Sequence, residues 1–351
     1  MGRAGDGKID IMPSARQYIL RARPSGVLSD DDLELREVEL PELGPNEVRL
    51  RTTYLSIDPT IRIWMSDVPQ YLPPIEIGEV IRAGGTGVIE ASTHPDYAEG
   101  EVVGGFMGWQ TRAQGNPESF ALDKFPPTID PTLAISIIGM TSGLTAYFGL
   151  LDITDPKPGE TLVVDAAAGS VGSLVGQIAK IKGCRVIGIA GGPEKCRYIS
   201  EELGFDGAVD YKNEDVGESL DRLCPDGIDI CFENVGGPIF DAILMRMKLH
   251  GRVSLCGMIS SYNAAGTDKK VPGPYAFSAI LMKRLRVEGF IILDYVDRFP
   301  AAVGELLQWV GAGKLKTRLY TLAGFEALPG ALRELVGGQS AKIGKMIVKL
   351  D

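Results

Sequence analysis

The stretch from Thr161 to Tyr211 constrains the fold most, because it has the pattern of one complete strand, glycine turn, helix and strand unit. Residues 161–165 are mostly apolar and β-branched, as expected of a strand buried on both faces. Residues 173–182 carry apolar side chains at helical spacing, and residues 185–190 form the second predicted strand. In such a unit the helix N-terminus faces an anion, so the pattern predicts a dinucleotide site.

The glycine turn is a partial match to the dinucleotide fingerprint G-x-G-x-x-G. Ala167 stands where the first glycine would be, which leaves Gly169 and Gly172 to make the turn. The turn alone would also fit another kind of α/β protein. After the second strand, where an NAD-specific protein has an acidic residue, this chain has Gly191 and, four residues on, Lys195. Because a lysine can bind the 2′-phosphate, the pattern favours NADPH over NADH.

The composition is that of a globular protein large enough for two domains, with 351 residues, of which 44% are hydrophobic and 23% charged. A net charge of −10 argues against a nucleic acid partner. The five cysteines are an odd number without C-x-x-C spacing, which favours a reduced, cytoplasmic setting. No apolar run approaches the length of a membrane span, and the N-terminus lacks the apolar core of a signal peptide. We therefore predict no membrane partner.

Periodicity divides the chain into regions of different fold class. After a polar leader, residues 1–14, short alternating strands indicate a compact all-β barrel or sandwich. Its predicted strands are 17–20, 33–40, 48–55, 75–80, 86–89, 102–106 and 120–122. The middle of the chain alternates strand and helix, which is the pattern of a doubly wound parallel sheet. The chain beyond Gly313 again reads as strands with one short helix, so we expect the tail to rejoin the first domain.

A zinc site is the first alternative to test, because a β-barrel joined to a nucleotide-binding domain is also the layout of zinc alcohol dehydrogenases. Catalytic zinc needs three clustered protein ligands. His94 and His250 lie far apart in the chain, and residues 9–125 contain no cysteine. The sequence therefore predicts no metal, and the scarcity of histidine also argues against a Ser-His-Asp or Cys-His hydrolase.

Polar side chains near the predicted cofactor fall at the ends of strands, the edge where open α/β sheets bind ligands. Tyr211 ends the strand after the helix of Lys195, in a position to pack against or hydrogen-bond the adenosine phosphate. Asn234 and Tyr262 each follow a later predicted strand. A single tyrosine is more often a packing residue than a catalytic one, but the shared position favours a role in binding or chemistry.

Several segments together carry a resemblance to a known family, although none of them would suffice alone. They are residues 54–59 with Arg62, 139–140 with 144–147, 167–172, 194–196, 232–237, 259 with 262–263, and 288–290. In these segments the sequence resembles the zinc-independent medium-chain reductases of the leukotriene/prostaglandin reductase and 2-alkenal (double-bond) reductase family, including bacterial curcumin-reductase-like members. The resemblance covers nearly the whole chain from about Gln17.

The resemblance implies an α/β protein with a GroES-like β-barrel catalytic domain, residues 1–131, and a Rossmann NADPH-binding domain, residues 132–315. It also implies that residues 316–351 return to the catalytic domain, and that two chains form a homodimer through the Rossmann sheet. Tyr262 matches the family tyrosine near the nicotinamide and the substrate oxygen, and Lys195 and Tyr211 match contacts to the 2′-phosphate. The implied cofactor contacts are Pro59, Thr145, Ala168, Gly169, Val171, Gly172, Gly191, Lys195, Tyr211, Asn234, Cys256, Tyr262, Phe290, Ile291, Ile292 and Lys342.

The chain departs from the family pattern at two positions. Family members often have a tyrosine after Asp-Pro in the substrate pocket, where this chain has Thr60. Many also have an asparagine before the final Ile/Leu-Gly-Lys, where this chain has Lys342. The first change leaves the identity of the substrate open, and the second is expected to alter cofactor affinity without abolishing binding.

The leading hypothesis is NADPH-dependent reduction of the carbon–carbon double bond of a small enal or enone, with hydride transfer to the β-carbon. The hydroxyl of Tyr262 would stabilise the enolate oxygen without a metal. Two alternatives stay open: a quinone or alcohol/ketone oxidoreductase on the same scaffold, and an NADPH-binding protein without activity. An apolar pocket is expected, with core packing as an equal alternative for its residues, from Trp64, Met65, Trp109, Tyr262 and 275–282.

Overall fold

Three β-sheets with helices around them form the fold in the computed structural model, which describes residues 12–265, 267, 273–338 and 340–350. The strands are β1 Ser14–Leu20, β2 Leu33–Glu39, β3 Val48–Ser56, β4 Gly85–Ser92, β5 Val102–Gly105, β6 Arg112–Gly115, β7 Asp123–Phe125, β8 Thr161–Val164, β9 Arg185–Ala190, β10 Gly207–Asp210, β11 Ile228–Glu233, β12 Met247–Leu255, β13 Arg286–Gly289, β14 Leu319–Ala323 and β15 Lys345–Lys349. The α-helices are α1 Thr60–Trp64, α2 Pro131–Ala134, α3 Thr145–Thr154, α4 Ser170–Ile181, α5 Pro193–Arg197, α6 Val216–Leu223, α7 Gly237–Leu244, α8 Phe277–Met282, α9 Phe299–Gly311 and α10 Ala327–Val336. Most of the predicted leader lies outside the described residues.

The nucleotide-binding half is built on a six-stranded parallel sheet in the order β10-β9-β8-β11-β12-β13. Every residue of β8 is buried, because helices cover both faces of such a sheet. The apolar residues that predicted helix α4 pack into the core beneath the sheet, among them Leu174, Val175 and Ile178. The predicted doubly wound α/β sheet is therefore confirmed.

A seven-stranded, mostly antiparallel sheet forms the other half, in the order β14-β15-β3-β4-β5-β7, with β6 also pairing with β3. Its core contains Leu50, Leu55 and Trp109, each without exposed surface. The C-terminal strand β15 pairs with β3 of this sheet, with Ile347 opposite Ser56. Strands β1 and β2 make a separate antiparallel pair.

Two predicted strands of this half are wrong. Residues 75–80 form no strand and contribute only a bridge between Val80 and Ile19, although Ile75 fills the core. Residues 120–122 follow a 3-10 helix at Pro117–Phe120, which the side chain of Asn116 caps. In both segments the apolar residues that suggested a strand still pack inward, but the backbone that carries them forms no strand.

No helix in the described part of the chain combines the length and the apolar character needed to cross a bilayer.

A buried ion pair ties the C-terminal strand to the segment before α1. The ammonium of Lys345 lies 2.5 Å from Oδ1 of Asp58, and the hydroxyl of Ser56 donates to the other carboxylate oxygen. The side chains of the lysine and aspartate are only 1% and 5% exposed. Because buried charges cost several kcal/mol each without a partner, each residue depends on the other.

We predict that Lys345→Met lowers the free energy of unfolding by about 3–5 kcal/mol, because it leaves the carboxylate of Asp58 buried without its cation. Denaturant unfolding followed by circular dichroism measures the change. The double variant Lys345→Met with Asp58→Asn removes both charges and should recover much of the loss. A single variant as stable as the parent protein would contradict the pairing.

Candidate active site

The glycine turn between β8 and α4 leaves the helix N-terminus without a side-chain cap. Gly169 occupies the N-cap position and has no side chain to bond the first N–H groups. A Cβ on Gly172 would lie 2.6 Å from the carbonyl oxygen of Ala166, so the close approach of the two segments requires glycine. The free N–H groups and the helix dipole together favour an anionic ligand at this turn.

The end of β9 is packed under a tyrosine. A Cβ on Gly191 would lie 2.8 Å from the ring of Tyr211, which is itself 39% exposed. The next residue, Gly192, has a φ of 98° and donates its N–H to Oδ1 of Asp210 at 2.7 Å. The structure therefore brings together the predicted Gly191 and Tyr211, with a half-exposed aromatic face beside the strand end.

Lys195 lies in α5, the helix that follows this end of β9, and its hydrogen-bond partner is a carbonyl group rather than a carboxylate. Its ammonium donates to the backbone oxygen of Ser340 at 2.7 Å, which connects α5 to the C-terminal segment. The pKa of Lys195 is lowered, first by burial and then by the ammonium of Lys212. Two cations that approach each other in a half-buried corner are suited to bind an anionic group between them.

Asn234 is fixed in the turn that follows β11. Its backbone N–H donates to Oδ1 of Asp165 at 2.7 Å, and its side-chain amide donates to the carbonyl oxygen of the same aspartate at 3.2 Å. The carbonyl of Asn234 in turn accepts the N–H of Ile259 at 3.0 Å. Asn234 therefore lies between the glycine-turn segment and the segment that leads to Tyr262.

Tyr262 is carried by a 3-10 helix, Ile259–Ala264, that follows β12. A Cβ on Gly257 would lie 2.9 Å from the phenol oxygen and 3.5 Å from the carbonyl oxygen of Asn234, so the hydroxyl packs over a glycine beside the Asn234 turn. Burial raises the pKa of Tyr262 to about 12, with Cys256 contributing further. The phenol is therefore a neutral hydrogen-bond donor at physiological pH.

A second phenol, that of Tyr71, lies close enough to Tyr262 to affect its pKa. The hydroxyl of Tyr71 lies 2.7 Å from Oγ1 of Thr60 and accepts the indole N–H of Trp64 at 3.0 Å. Burial raises the pKa of Tyr71, and the proximity of Tyr71 contributes to the raised pKa of Tyr262. Sequence reasoning missed Tyr71, because no motif marks it and its partner Thr60 lies 11 residues away.

The C-terminal segment crosses the glycine turn on its way to β15. The N–H of Gly344 donates to the carbonyl oxygen of Ala168 at 2.8 Å, and a parallel bridge joins Gly344 to Gly169. Gly344 has a φ of 85°, and a Cβ there would lie 1.9 Å from the carbonyl oxygen of Arg318. Only glycine fits at this crossing.

Comparison with known proteins identifies the family. Residues 16–122 match the N-terminal domain of oxidoreductase family, and residues 170–309 match the zinc-binding dehydrogenase family. The chain is 42% identical to the NADPH-dependent curcumin reductase of Escherichia coli, over 95% of this chain and 96% of that protein. It is 37% identical to prostaglandin reductase 1 of mouse, over 96% and 100% of the two chains. The chain belongs to the prostaglandin reductase family of medium-chain dehydrogenases/reductases.

A solved structure of this family shares the fold over the whole chain. The crystal structure of CurA from Vibrio vulnificus in complex with NADPH superposes with a TM-score of 0.89 at 41% identity. The superposition covers 96% of this chain and 99% of that chain. The resemblance inferred from the sequence motifs is therefore confirmed.

The matched dehydrogenase family is named for zinc, and the described residues do not bring together a ligand set for that ion. Within residues 12–265, 267, 273–338 and 340–350, no three His, Cys, Asp or Glu side chains cluster as metal ligands would. The predicted turn at His94 uses its ring differently, because Nδ1 accepts the N–H of Asp96 at 3.1 Å.

The remaining predicted cofactor residues lie around these turns in varied environments. Phe290 points into the core: a Cβ on Gly149 would lie 2.3 Å from its ring, which meets Phe232 edge-on with centroids 6.4 Å apart. The hydroxyl of Thr145 donates to the carbonyl of Met140 at 2.7 Å. The others occupy the N-cap of α1 (Pro59), the first turn of α4 (Val171), the residue after β12 (Cys256), and the start of a 3-10 helix (Ile291 and Ile292).

Lys342, the second departure from the family pattern, is engaged with an aromatic ring. Its ammonium lies 4.3 Å from the ring centroid of Tyr320, and a hydrogen bond to that tyrosine raises the pKa of Lys342. The backbone N–H of Lys342 bonds the hydroxyl of Ser340 at 3.1 Å. Contact of Lys342 with the cofactor stays a prediction.

The expected apolar pocket is largely a core. Met65 and Trp109 have no exposed surface, and Trp64 is 2% exposed, so these three side chains pack inside the seven-stranded half. Residues around α8 are instead strongly exposed, with Tyr275 at 80%. Of the predicted set, Tyr262 lies outside this core. It is near Tyr71, whose hydroxyl bonds that of Thr60.

Proposed function

We propose that the chain is an NADPH-dependent reductase that saturates the carbon–carbon double bond of α,β-unsaturated aldehydes or ketones. The observation that carries the proposal is the neutral phenol of Tyr262, whose hydroxyl packs over Gly257 beside the Asn234 turn and near Tyr71. The relatives named above include an NADPH-dependent curcumin reductase and a prostaglandin reductase. Their similarity over the whole chain supports the same class of reaction here.

The residues of the glycine turn and the β9 end fit NADP(H). The uncapped N-terminus of α4 suits the pyrophosphate, since Gly169 and Gly172 let it approach the backbone. Lys195, which follows the end of β9 where the Tyr211 ring packs on Gly191, suits the 2′-phosphate, because its ammonium bonds a carbonyl oxygen and no carboxylate forms a salt bridge with it in the described residues. When bound, the cofactor supplies a hydride to the β-carbon of the substrate.

The part of the protein in the reaction is to stabilise charge on the carbonyl oxygen. The double bond is saturated when hydride adds to the β-carbon and a proton, from Tyr262 or from water, adds to the α-carbon. After hydride addition, negative charge collects on the carbonyl oxygen as an enolate. The O–H of Tyr262 donates to it, and because its pKa is about 12 the phenol stays protonated through the physiological range. A donor already fixed over Gly257 needs no reorganisation during the reaction.

We expect the protein to oxidise NADPH with a simple enone and to release the saturated ketone. Tyr262→Phe should lower kcat about 10²-fold to 10³-fold with little change in the Kd for NADPH, because the oxyanion loses its donor. Initial rates of NADPH oxidation, followed by absorbance at about 340 nm, measure kcat, and mass spectrometry identifies the product. Fluorescence titration measures the Kd for NADPH.

The product separates the alternatives. An allylic alcohol would indicate carbonyl reduction, and turnover of quinones alone would indicate a quinone reductase. Tight NADPH binding without turnover of enals, enones, quinones or ketones would indicate a binding protein. Unchanged turnover in Tyr262→Phe would remove the tyrosine from the mechanism.

Lys195→Ala should raise the Kd for NADPH about 10-fold to 100-fold, because a charged hydrogen bond to phosphate contributes roughly 1.5–3 kcal/mol. The Kd for NADH should stay within about twofold, since NADH lacks the 2′-phosphate. Lys314→Ala, at an exposed lysine after α9, makes the same charge change and serves as the control. Fluorescence titration measures all of these constants. Equal losses for the two cofactors would assign Lys195 a structural role.

The partner of the chain in solution is a second copy, and its interface lies on the edge of the parallel sheet. Strand β13 ends that sheet among the described strands, so its outer backbone groups are open to pairing. Next to it, α8 exposes large apolar side chains, including Phe277 at 64% and Leu281 at 72%. Such an apolar patch beside an open edge fits an isologous two-fold contact.

We expect the protein to sediment at twice the chain mass and Leu281→Lys to shift it toward the monomer, because a charge in the apolar contact is costly. Leu35→Lys, an exposed leucine on β2, is the matched control and should stay dimeric. Analytical ultracentrifugation over a range of concentrations measures the equilibrium. A monomeric parent protein would contradict the interface.

The proposal also includes the location of the protein in the cell and its division into domains. We place the protein in the cytoplasm, which its five free cysteines support. We also keep the division into residues 1–131, 132–315 and 316–351, which is supported by the pairing of β15 with β3.

A further inference from the structure

Two fully buried carboxyl groups meet at the carboxyl ends of β8 and β11. Asp165 and Glu233 follow Val164 and Phe232, which are paired residues of the two parallel strands. Both accept a hydrogen bond from one backbone N–H, that of Val235: Oδ2 of Asp165 at 3.2 Å and Oε1 of Glu233 at 2.8 Å. The two side chains therefore lie side by side in the interior.

Charge balance indicates that this pair holds a proton. No Lys, Arg or His of the described residues bonds either carboxyl, whose donors come from the 234–236 turn. Two adjacent buried charges without a cation would cost several kcal/mol each. Oε2 of Glu233 is buried and has no donor in the described part of the chain. A proton on Asp165 supplies that donor, in agreement with burial and Glu233 raising the pKa of Asp165.

The other titratable groups that face the pair are thiols. Cys231 lies on β11 and Cys256 follows β12, and both have raised pKa values because of burial, the latter at about 12. These thiols are neutral at physiological pH. Loss of the shared proton as pH rises would leave two adjacent charges in this cluster.

The carboxyls of Asp165 and Glu233 hold the 234–236 turn, and this turn supports the segment leading to Tyr262. On one side, Asp165 accepts the N–H of Asn234 and Glu233 accepts that of Gly236. On the other side, the carbonyls of the same turn accept N–H groups from the segment after β12. These bonds are Cys256 and Gly257 to Glu233, Ile259 to Asn234, and Ser260 to Val235, all between 2.9 and 3.1 Å.

We infer that Asp165 and Glu233 share one proton and act as positioning residues for the hydroxyl of Tyr262. This inference rests on the proposed function for the role of the phenol. With the proton in place, the pair carries one charge and holds the turn by its backbone N–H groups. Loss of the proton puts two charges beside each other and loosens the turn, so the phenol leaves its place over Gly257. A displacement of about 1 Å is enough to cost roughly 10²-fold in rate.

Asp165→Asn and Asp165→Ala distinguish positioning by a shared proton from simple packing. The asparagine amide donates where the protonated carboxyl does, its oxygen accepts from Asn234, and it does not titrate. We expect Asp165→Asn to keep kcat within a few-fold of the parent near neutral pH and to lose the fall in kcat that accompanies loss of the shared proton as pH rises. Asp165→Ala should lower kcat about 10-fold to 100-fold with a smaller change in KM.

Infrared spectroscopy and NMR test the inference without turnover. Near neutral pH, where an ordinary carboxyl is ionised, the parent protein should show the carbonyl stretch of a protonated acid that Asp165→Asn lacks. The carbon-13 signal of the Tyr262 ring, assigned with Tyr262→Phe, should stay in place in Asp165→Asn and move in Asp165→Ala or in the parent as the band disappears.

Several results would overturn the inference. A folded parent protein without the protonated-acid band holds no shared proton. A Tyr262 signal that does not move as the band disappears would show that the pair does not position the phenol. Should Asp165→Ala fail to fold, the comparison of the parent with Asp165→Asn across pH still decides. If no enone is turned over, the proposed function fails, while the band and the tyrosine signal still report on the pair.

Discussion

The parallel pairing of β8, β11 and β12 determines where the functional turns of the nucleotide-binding half lie. Parallel strands end at one edge, so the turns that follow Val164, Glu233 and Leu255 emerge next to one another. The turns after β11 and β12 bond each other through backbone groups, and the side chain of Asp165 joins the turn after β8 to the Asn234 turn. A displacement at any one of the three is therefore transmitted to the others, and the site behaves as one hydrogen-bonded unit.

A second constraint comes from the end of the chain, which joins the two halves across the site. The segment from Ser340 to Lys345 gives a carbonyl to Lys195, an N–H to Ala168 and an ammonium to Asp58. Asp58 immediately precedes Pro59 and Thr60 at the start of α1. One short segment thus holds Lys195, the glycine turn and the start of α1. This suits the proposed reaction, which needs cofactor and substrate in fixed relative positions.

The parts of the site that could be predicted from the sequence are those with local patterns. The β8-α4-β9 unit has a clear periodicity and its own glycines, and Lys195 follows it at a fixed distance along the chain. The position of Tyr211 at the end of the next predicted strand placed it near Gly191, and the structure packs its ring on that glycine. Local pattern and tertiary structure agree in such segments, so short-range reasoning suffices.

Long-range contacts carry no such signal. Asp58 and Lys345 are 287 residues apart, and each taken alone looks like a surface charge. Asp165 and Glu233 look like the polar ends of two strands, and only the register shows that their carboxyls meet. The ring of Phe290 fills the space that Gly149 leaves in the core, while contact of this residue with the cofactor stays a prediction. In each case burial against a distant element decides the role of the side chain.

Thr60 shows how a departure from a family pattern is accommodated by its neighbours. A tyrosine at this position would bring its own hydroxyl to the substrate side, whereas threonine is too short to do so. Here the threonine hydroxyl lies 2.7 Å from that of Tyr71, which the indole of Trp64 also bonds. Two partners fix the oxygen of the Tyr71 phenol, which lies near Tyr262. Where the family often has a tyrosine, this chain therefore has a threonine that hydrogen-bonds a neighbouring tyrosine.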